Sequence, residues 1–326
     1  MSAEAAQTQS RPARRNGGQR RGRLPHNSHA RSGGLAPYLF LLPAGLFFGL
    51  FLLAPIVYAG MLSLRSSRVQ GGIIGVRKEV FVGLANYGAA LSDPELLHSV
   101  LRMLLYGSIV VPVMLGLALL FALLLDSQVV RFARFSRIAI FLPYAVPGVI
   151  ATLLWGFLYL PAVSPIRYVT DRTFLPDVDF LGPRSIFGSV ANIAIWGGVG
   201  FNMIVLYTGL RAIPSELYDA ARVDGCGELQ IALRIKLPLL VPALVLTFVF
   251  SLIATLQVYN EPATLQPLSN VISSTWMPLL KVYRDAFVTG DVYSAAATSV
   301  VLALGTLVLS LGLLRLLQLH AFGEQR

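Results

Sequence analysis

Six uncharged, strongly apolar stretches divide the chain: Ser32–Leu64, Met103–Leu125, Ile138–Ile166, Ser185–Leu210, Leu237–Asn260 and Val292–Leu314. Each exceeds the roughly 20 residues that a helix needs to cross the hydrocarbon core of a bilayer. Charge returns in short clusters between them, so the pattern predicts an all-α polytopic membrane protein with six transmembrane helices. A seventh uncharged run, Pro262–Leu280, is different, carrying Pro262, Pro267 and Pro278 among Ser, Thr, Gln and Asn. It is expected outside the bilayer or as a re-entrant segment lying against the helices. Pro112, Pro143 and Pro147 fall inside or at the ends of spans, where each removes helical hydrogen bonding. Such kinks suit helices that hinge, and they also occur in rigid packing.

Composition agrees with that pattern. Hydrophobic residues make up 55% of the 326 residues and charged ones only 13%, with mean hydropathy +0.68. A soluble domain of this length carries about 25% charge. The net charge of +10 is unevenly placed, with seven arginines in residues 1–34 alone. Those residues are rich in Arg, Gly, Ser, Gln and Pro and cannot bury a core, so a disordered basic tail is expected. Three further Lys or Arg lie in 126–137, four in 211–238 and two beyond Leu314, against nine in the other three loops. Lys/Arg excess marks the cytoplasmic side. Both termini and the 212–238 loop are therefore expected in the cytoplasm, the tail either an anchor beside anionic lipid or a dispensable extension. The layout is a tail at 1–34, a six-helix unit at 35–320 and a short cytoplasmic C-terminus at 321–326. A nucleic-acid partner would want basic residues interleaved with aromatics on a folded face, and the arginine placement does not offer that.

The loop between the fourth and fifth stretches reads IPSELYDAARVDGCGELQIALRIKLP from Ile213 to Pro238. Pro214 suits the first turn of a helix, and Glu216 and Asp219 follow where the helix dipole favours acids. Ala220 and Ala221 are small enough to let another backbone approach. Gly225 stands where a helix ends in a left-handed residue. A second helical run, Glu228–Ile235, leads into Pro238. The local expectation is helix, glycine turn, helix at a membrane surface.

That stretch resembles the EAA loop of the membrane subunits of binding-protein-dependent ABC importers. The family pattern is Glu-Ala-Ala, three residues, Gly, then Ile-x-Leu-Pro. Here it reads Asp219-Ala220-Ala221, Gly225, Ile235, Leu237 and Pro238. The flanking Ile213–Tyr218 and Asp224-Gly225 resemble the carbohydrate branch, the maltose and glycerol-phosphate permease-like group. Phe81-Val82-Gly83-Leu84-Ala85-Asn86-Tyr87 is similar to the FVGLxNY segment that leads into the second span of sugar permeases. The likeness continues through Arg137–Pro147 and Trp196–Leu210 to Tyr293-Ser294-Ala295-Ala296, and covers essentially everything from Leu35 to Leu317. Two positions depart from it. Asp219 replaces the usual Glu, and Leu265-Gln266-Pro267 stands where the family often has Thr-x-Gly-Gly-Pro. The resemblance implies an inner-membrane permease for a sugar or oligosaccharide. Its implied partners are a second permease subunit, an ABC ATPase dimer that binds the ATP, and an extracytoplasmic solute-binding protein. It further implies that Glu216, Asp219, Ala220, Ala221, Asp224 and Gly225 form the surface that couples to the ATPase.

Motifs for other chemistry are absent. There is no GxxxxGK[ST] phosphate loop, no GxSxG elbow and no HExxH. Cys226 is the one cysteine, and His26, His29, His98 and His320 are scattered, so neither a cysteine cluster nor a histidine metal site is expected. No catalytic residue and no cofactor of the chain's own is expected. The uncharged stretches hold no ionisable side chain of the kind proton-coupled carriers place in the membrane, which points to an energy source outside this polypeptide. Their polar groups are few. Trp196, Asn202, Gln257, Tyr259 and Asn260 are the candidates for lining a pathway, because amides exchange hydrogen bonds with hydroxyls and aromatic rings stack on sugar faces. Trp and Tyr also form interfacial belts, and Asn also bonds between helices. A permease for another polar solute, such as a polyol or glycerol phosphodiester, is the nearest alternative. A secondary carrier or membrane-embedded enzyme is more distant.

Overall fold

The computed structural model describes residues 36–70, 76–127, 132–170, 172 and 178–322. The expected basic tail at 1–34 and residues 323–326 of the expected C-terminus lie outside them. The chain divides into two compact units, the first ending at Leu53. Its described part is helix α1, Ala36–Phe48, followed by a π-helical turn over Gly49–Leu53. From Tyr38 on its large side chains are exposed, Phe40 and Phe51 among them, and the Phe47 and Phe51 rings stack 6.0 Å apart.

The second unit opens with α2, Ala54–Ser63, and then a feature the apolar pattern did not announce. Strands β1, Arg65–Gln70, and β2, Val76–Phe81, pair antiparallel with Arg65 opposite Phe81 and Ser67 opposite Glu79. Arg65 and Glu79 form an ion pair across the hairpin at 3.1 Å. Gly83 then turns the chain with φ +59° into α3, Ala85–Leu91. Here the FVGLANY segment acquires a structural role. The Asn86 amide donates to the carbonyls of Ser63 and Arg65 at 2.8 and 2.7 Å, and the Tyr87 hydroxyl meets the Ser63 hydroxyl at 2.6 Å. The two amide bonds give partners to backbone carbonyls at the end of α2 and the start of β1.

The long helices follow: α4 (Pro94–Asp126), α5 (Ala133–Ala145), α6 (Gly148–Tyr159), the short α7 (Pro165–Thr170) and α8 (Ile186–Arg211). After the charged loop come α12 (Val241–Leu256), α13 (Asn260–Leu265), α14 (Pro278–Tyr283) and α15 (Val292–Phe322), the last running past the expected Leu314. The core lies where α8 packs along α4, with α5 and α12 against the pair. Tyr106, Val110, Met203 and Leu206 are fully buried there. Small residues set the spacing: a Cβ on Gly200 would stand 2.3 Å from the Ile140 carbonyl oxygen, so only glycine lets α5 and α8 come so close. The most apolar window of the first candidate span, Tyr38–Ser63, has no buried residue. Such a surface suits lipid or another apolar subunit.

Two of the stretches are not single straight helices. Among the described residues five helices are long and apolar enough to cross a membrane, and the third stretch supplies the expected sixth when its bent pair of helices counts as one span. It is a broken pair, α5 and α6, bent by 97° at Val146-Pro147. Pro147 has no N–H to continue the ladder, and it forces the preceding residue out of the helical region, so Val146 is extended with ψ 128°. The fifth stretch does not end at Asn260, because the candidate span runs from Val241 to Leu268. It too is interrupted: the helix lapses at Gln257–Tyr259 and restarts as α13, continued by a 3₁₀ turn at Gln266–Leu268. The Pro262 end of the seventh uncharged run thus belongs to this span, with Leu265 fully buried. Further along, Trp276 and Met277 are buried, and Arg102 of α4 lies over the Trp276 ring and donates to its carbonyl at 2.6 Å.

Candidate functional site

The Ile213–Pro238 loop folds as helix, glycine turn, helix. α9 covers Ser215–Val223, with Pro214 as its N-cap rather than inside the first turn. Gly225 has φ +84°, the Cys226 N–H donates to the Ala221 carbonyl at 2.9 Å and the Gly225 N–H to the Arg222 carbonyl at 3.0 Å. These two bonds close the helix as a Schellman motif, which requires a left-handed residue at Gly225. α10, Glu228–Ile231, continues through a π-helical turn at Ala232–Lys236 into α11, Leu237–Leu239. Arg222 spans the glycine turn, bonding Glu228 at 3.0 Å and Asp219 at 3.1 Å. That fork bridges the last turn of α9 to the first residue of α10.

Of the residues expected to form the coupling surface, Glu216, Asp219, Ala220, Asp224 and Gly225 are exposed and Ala221 is buried. They share the surface with exposed Leu217, Val223 and Leu229. Acids beside unburied leucine and valine make a surface suited to a protein partner. The loop is also anchored to the helices. Lys236 Nζ lies 2.6 Å from Asp126 Oδ2 at the end of α4, with both side chains nearly water-free, and 4.9 Å from the centre of the Tyr218 ring. The Tyr218 hydroxyl is buried without a partner among the described residues. Burial first, and then the charge of Asp126, push that phenol above its ordinary value, with Arg211 opposing. The pair was missed in the sequence because Asp126 and Lys236 stand 110 positions apart. The one available signal was that each is the charge flanking an apolar stretch.

At the opposite end a second network ties α4 to the α14 segment. Lys281 bonds Asp93 at 2.8 Å and Asp285 at 2.6 Å, and Arg284 bonds Asp285 at 2.8 Å and Glu95 at 2.9 Å. Burial raises Asp93, but the bond from Lys281 and the Glu95 backbone N–H outweigh it and hold the carboxyl below its ordinary range. Burial lowers Lys281, and its two carboxylates more than reverse that.

Between these two ends lies a cavity of about 580 Å³. Both helix breaks open onto it: Pro143, Val146 and Gly148 from the α5–α6 bend, and Gln257, Tyr259 and Asn260 from the α12–α13 break. A broken helix exposes backbone groups that a continuous one hides, and within a membrane such irregularity is tolerated only where it lines a cavity or is packed in protein. Tyr144 and Phe201 stack on one wall with centroids 5.0 Å apart. Gln257, Tyr259 and Asn260 therefore meet here, as does Asn202. The Asn202 side chain is itself committed, donating to the Gly198 carbonyl at 3.0 Å and accepting from Ser251 at 3.2 Å. Trp196 is not in the lining; its ring packs edge-on against Trp155 at 5.8 Å. Asn192 and Tyr159 likewise bond each other, at 2.9 Å. Glu261 does line the cavity, which corrects the expectation that the spans hold no ionisable group. It was overlooked because it is the residue whose charge ended the fifth stretch.

A helical membrane protein with a polar cavity at two helix breaks, and a charged loop anchored to its core, has the makings of a transport subunit. The comparisons bear this out: the chain belongs to the family described as the inner membrane component of binding-protein-dependent transport systems, which matches residues 89–320. It is thus a multi-pass inner-membrane protein whose work is transport, not catalysis. Among its relatives, the sn-glycerol-3-phosphate transport system permease protein UgpA of Agrobacterium fabrum is 31% identical over 272 residues, covering 82% of this chain and 89% of that one. The probable ABC transporter permease protein YurN of Bacillus subtilis is 32% identical over 287 residues, 85% of this chain and 94% of that one. A crystal structure of a bacterial ABC transporter involved in import of the acidic polysaccharide alginate shares the fold, with TM-score 0.74, 20% identity and coverage of 87% of this chain and 95% of that one.

Proposed function

We propose that this chain is the permease subunit of an ABC importer and forms part of the pathway for a sugar or related polyhydroxylated solute. The observation that carries the reading is the cavity at the two helix breaks, linked through Lys236–Asp126 to the exposed loop. In this reading a separate ATPase dimer binds ATP and docks on Glu216, Asp219, Ala220, Asp224 and Gly225. The loop passes its rigid-body movement into α4, and the cavity alternates between the two sides. An extracytoplasmic solute-binding protein delivers the solute at the Lys281–Asp285 end. A second permease subunit completes the pathway against the exposed apolar helices. Both termini and the loop then face the cytoplasm, in keeping with the Lys/Arg distribution.

Relatives named for glycerol-phosphate transport, together with the amide and aromatic lining, support a small hydroxylated solute. The test is reconstitution of the complex in vesicles with its ATPase and binding protein. The expected result is ATP hydrolysis stimulated by the loaded binding protein, with Asp219→Ala inserting normally and losing most of the stimulation. Full docking and full stimulation in that variant would make the loop a mere connector. For orientation, Cys226 should react with an impermeant maleimide only from the cytoplasmic side; strong labelling from outside intact cells reverses the topology.

A further inference from the structure

Glu261 begins α13, the helix that restarts after the Gln257–Tyr259 break, and it stands in the cavity lining beside Asn260 and Tyr259. The lining contains no Lys, Arg or His. Among the described residues, Glu261 enters no ion pair, and four of the basic groups toward the two ends of the bundle are committed elsewhere. Lys281 and Arg284 hold Asp93, Asp285 and Glu95; Lys236 holds Asp126; and Arg102 binds the Trp276 carbonyl.

We propose that Glu261 is a charge filter in the pathway, so that the cavity takes a neutral or amino-bearing polyhydroxylated solute and turns away phosphorylated sugars and uronates. This rests on the importer reading for the identity of the traffic, but the electrostatic part stands on the cavity alone. An ionised carboxylate accepts hydrogen bonds from two neighbouring sugar hydroxyls and attracts an ammonium group. A phosphate or uronate needs an Arg or Lys fork to replace its hydration, and this lining offers it an acid instead. Protonated, Glu261 still supplies no positive charge. Two like charges about 6 Å apart, at an effective dielectric near 20, disfavour one another by about 100-fold, and water in the cavity reduces that to about 10-fold. The solutes in the names of the Agrobacterium fabrum relative and the structural neighbour, glycerol 3-phosphate and an acidic polysaccharide, are anionic, so the filter marks a division of solute class within a shared fold.

The test uses the full chain in membranes. Cys226→Ser removes the native thiol, and Ala254→Cys places one in the cavity lining. Rates of reaction with a cationic and an anionic methanethiosulfonate of matched size are then compared with and without Glu261→Gln. The ratio of cationic to anionic rate should fall about 100-fold when the carboxylate is removed, about 10-fold from each reagent. An unchanged ratio overturns the proposal. Gln has the same shape, and equal yield and equal thermal stability of the two proteins guard against a folding artefact. In the reconstituted importer, uptake of a neutral or amino sugar supports the filter, and identification of a phosphorylated sugar or uronate as the transported solute overturns it. If no solute stimulates ATP hydrolysis, the importer reading fails, and the reagent ratio alone decides this one.

Discussion

Removing Lys236 should cost more than removing Lys236 and Asp126 together. The Nζ–Oδ2 distance is 2.6 Å, with side-chain exposures of 7% and 5%. At an effective dielectric near 20, charges at that separation attract by about 6 kcal/mol, and the penalty of taking both out of water, several kcal/mol per ion, offsets most of it. The intact pair therefore contributes little net stability. Lys236→Met leaves Asp126 buried beside the unpartnered Tyr218 hydroxyl and removes the cation over the Tyr218 ring. The expected loss is about 3–5 kcal/mol. Asp126→Asn strands the ammonium and should cost a similar amount. The double variant Asp126→Asn with Lys236→Met leaves no buried charge, and should recover at least about 3 kcal/mol relative to the sum of the single losses. Unfolding of the purified chain in graded detergent mixtures, followed by helicity, gives the global energies of this cycle. Maleimide reaction at Cys226, half-buried just after α9, reports whether the loop has come loose locally. Single variants within about 0.5 kcal/mol of wild type, or strictly additive losses, would refute the claim that this pair anchors the loop.

Two further predictions follow from the same geometry. Gly225 sits at φ +84° with open space where a Cβ would go, so substitution strains the backbone without a clash; Gly225→Ala should cost about 1–2 kcal/mol in the loop and Gly225→Val more, with insertion intact and stimulated ATP hydrolysis lost in the Val variant, and equal behaviour of the two would count against the positive-φ argument. The Lys281–Asp93 bond should make the opposite end pH-sensitive: Asp93 titrates below its ordinary 3.8 in the folded chain, so its stabilisation is present above that value and lost as pH falls through the lower folded value, whereas Lys281, raised above 10.5, contributes below 10.5 and loses its contribution as pH rises through the higher folded value. Thermal midpoints measured across acid pH should therefore fall less steeply in Asp93→Asn than in wild type; parallel curves would sink this assignment.

The number and place of the apolar segments followed from the chain alone, because burial in a bilayer demands about 20 uncharged residues in a row and no other arrangement of this composition satisfies it. The loop was legible for a similar reason. A helix dipole, a glycine needed at positive φ and a run of charges are local requirements, readable between Ile213 and Pro238, and α9, the Gly225 turn and the exposed acids lie where those requirements put them. What the linear pattern could not contain was the distance between residues far apart in sequence. Pro147 could mark a hinge, a mild kink or nothing, and only packing against α8 through Gly200 shows a bend of 97°. Trp196 and Asn202 looked alike as polar groups in an apolar span; tertiary contacts turn the first onto Trp155 and spend the second on Gly198 and Ser251. Glu261 read as the charge that closed a span, until the break at Gln257–Tyr259 carried it into the cavity. Hydropathy is a property of neighbours along the chain, whereas a pathway is lined by side chains from helices that meet only after folding. The cavity, its single acid and the Asp126–Lys236 anchor therefore belong to the tertiary structure.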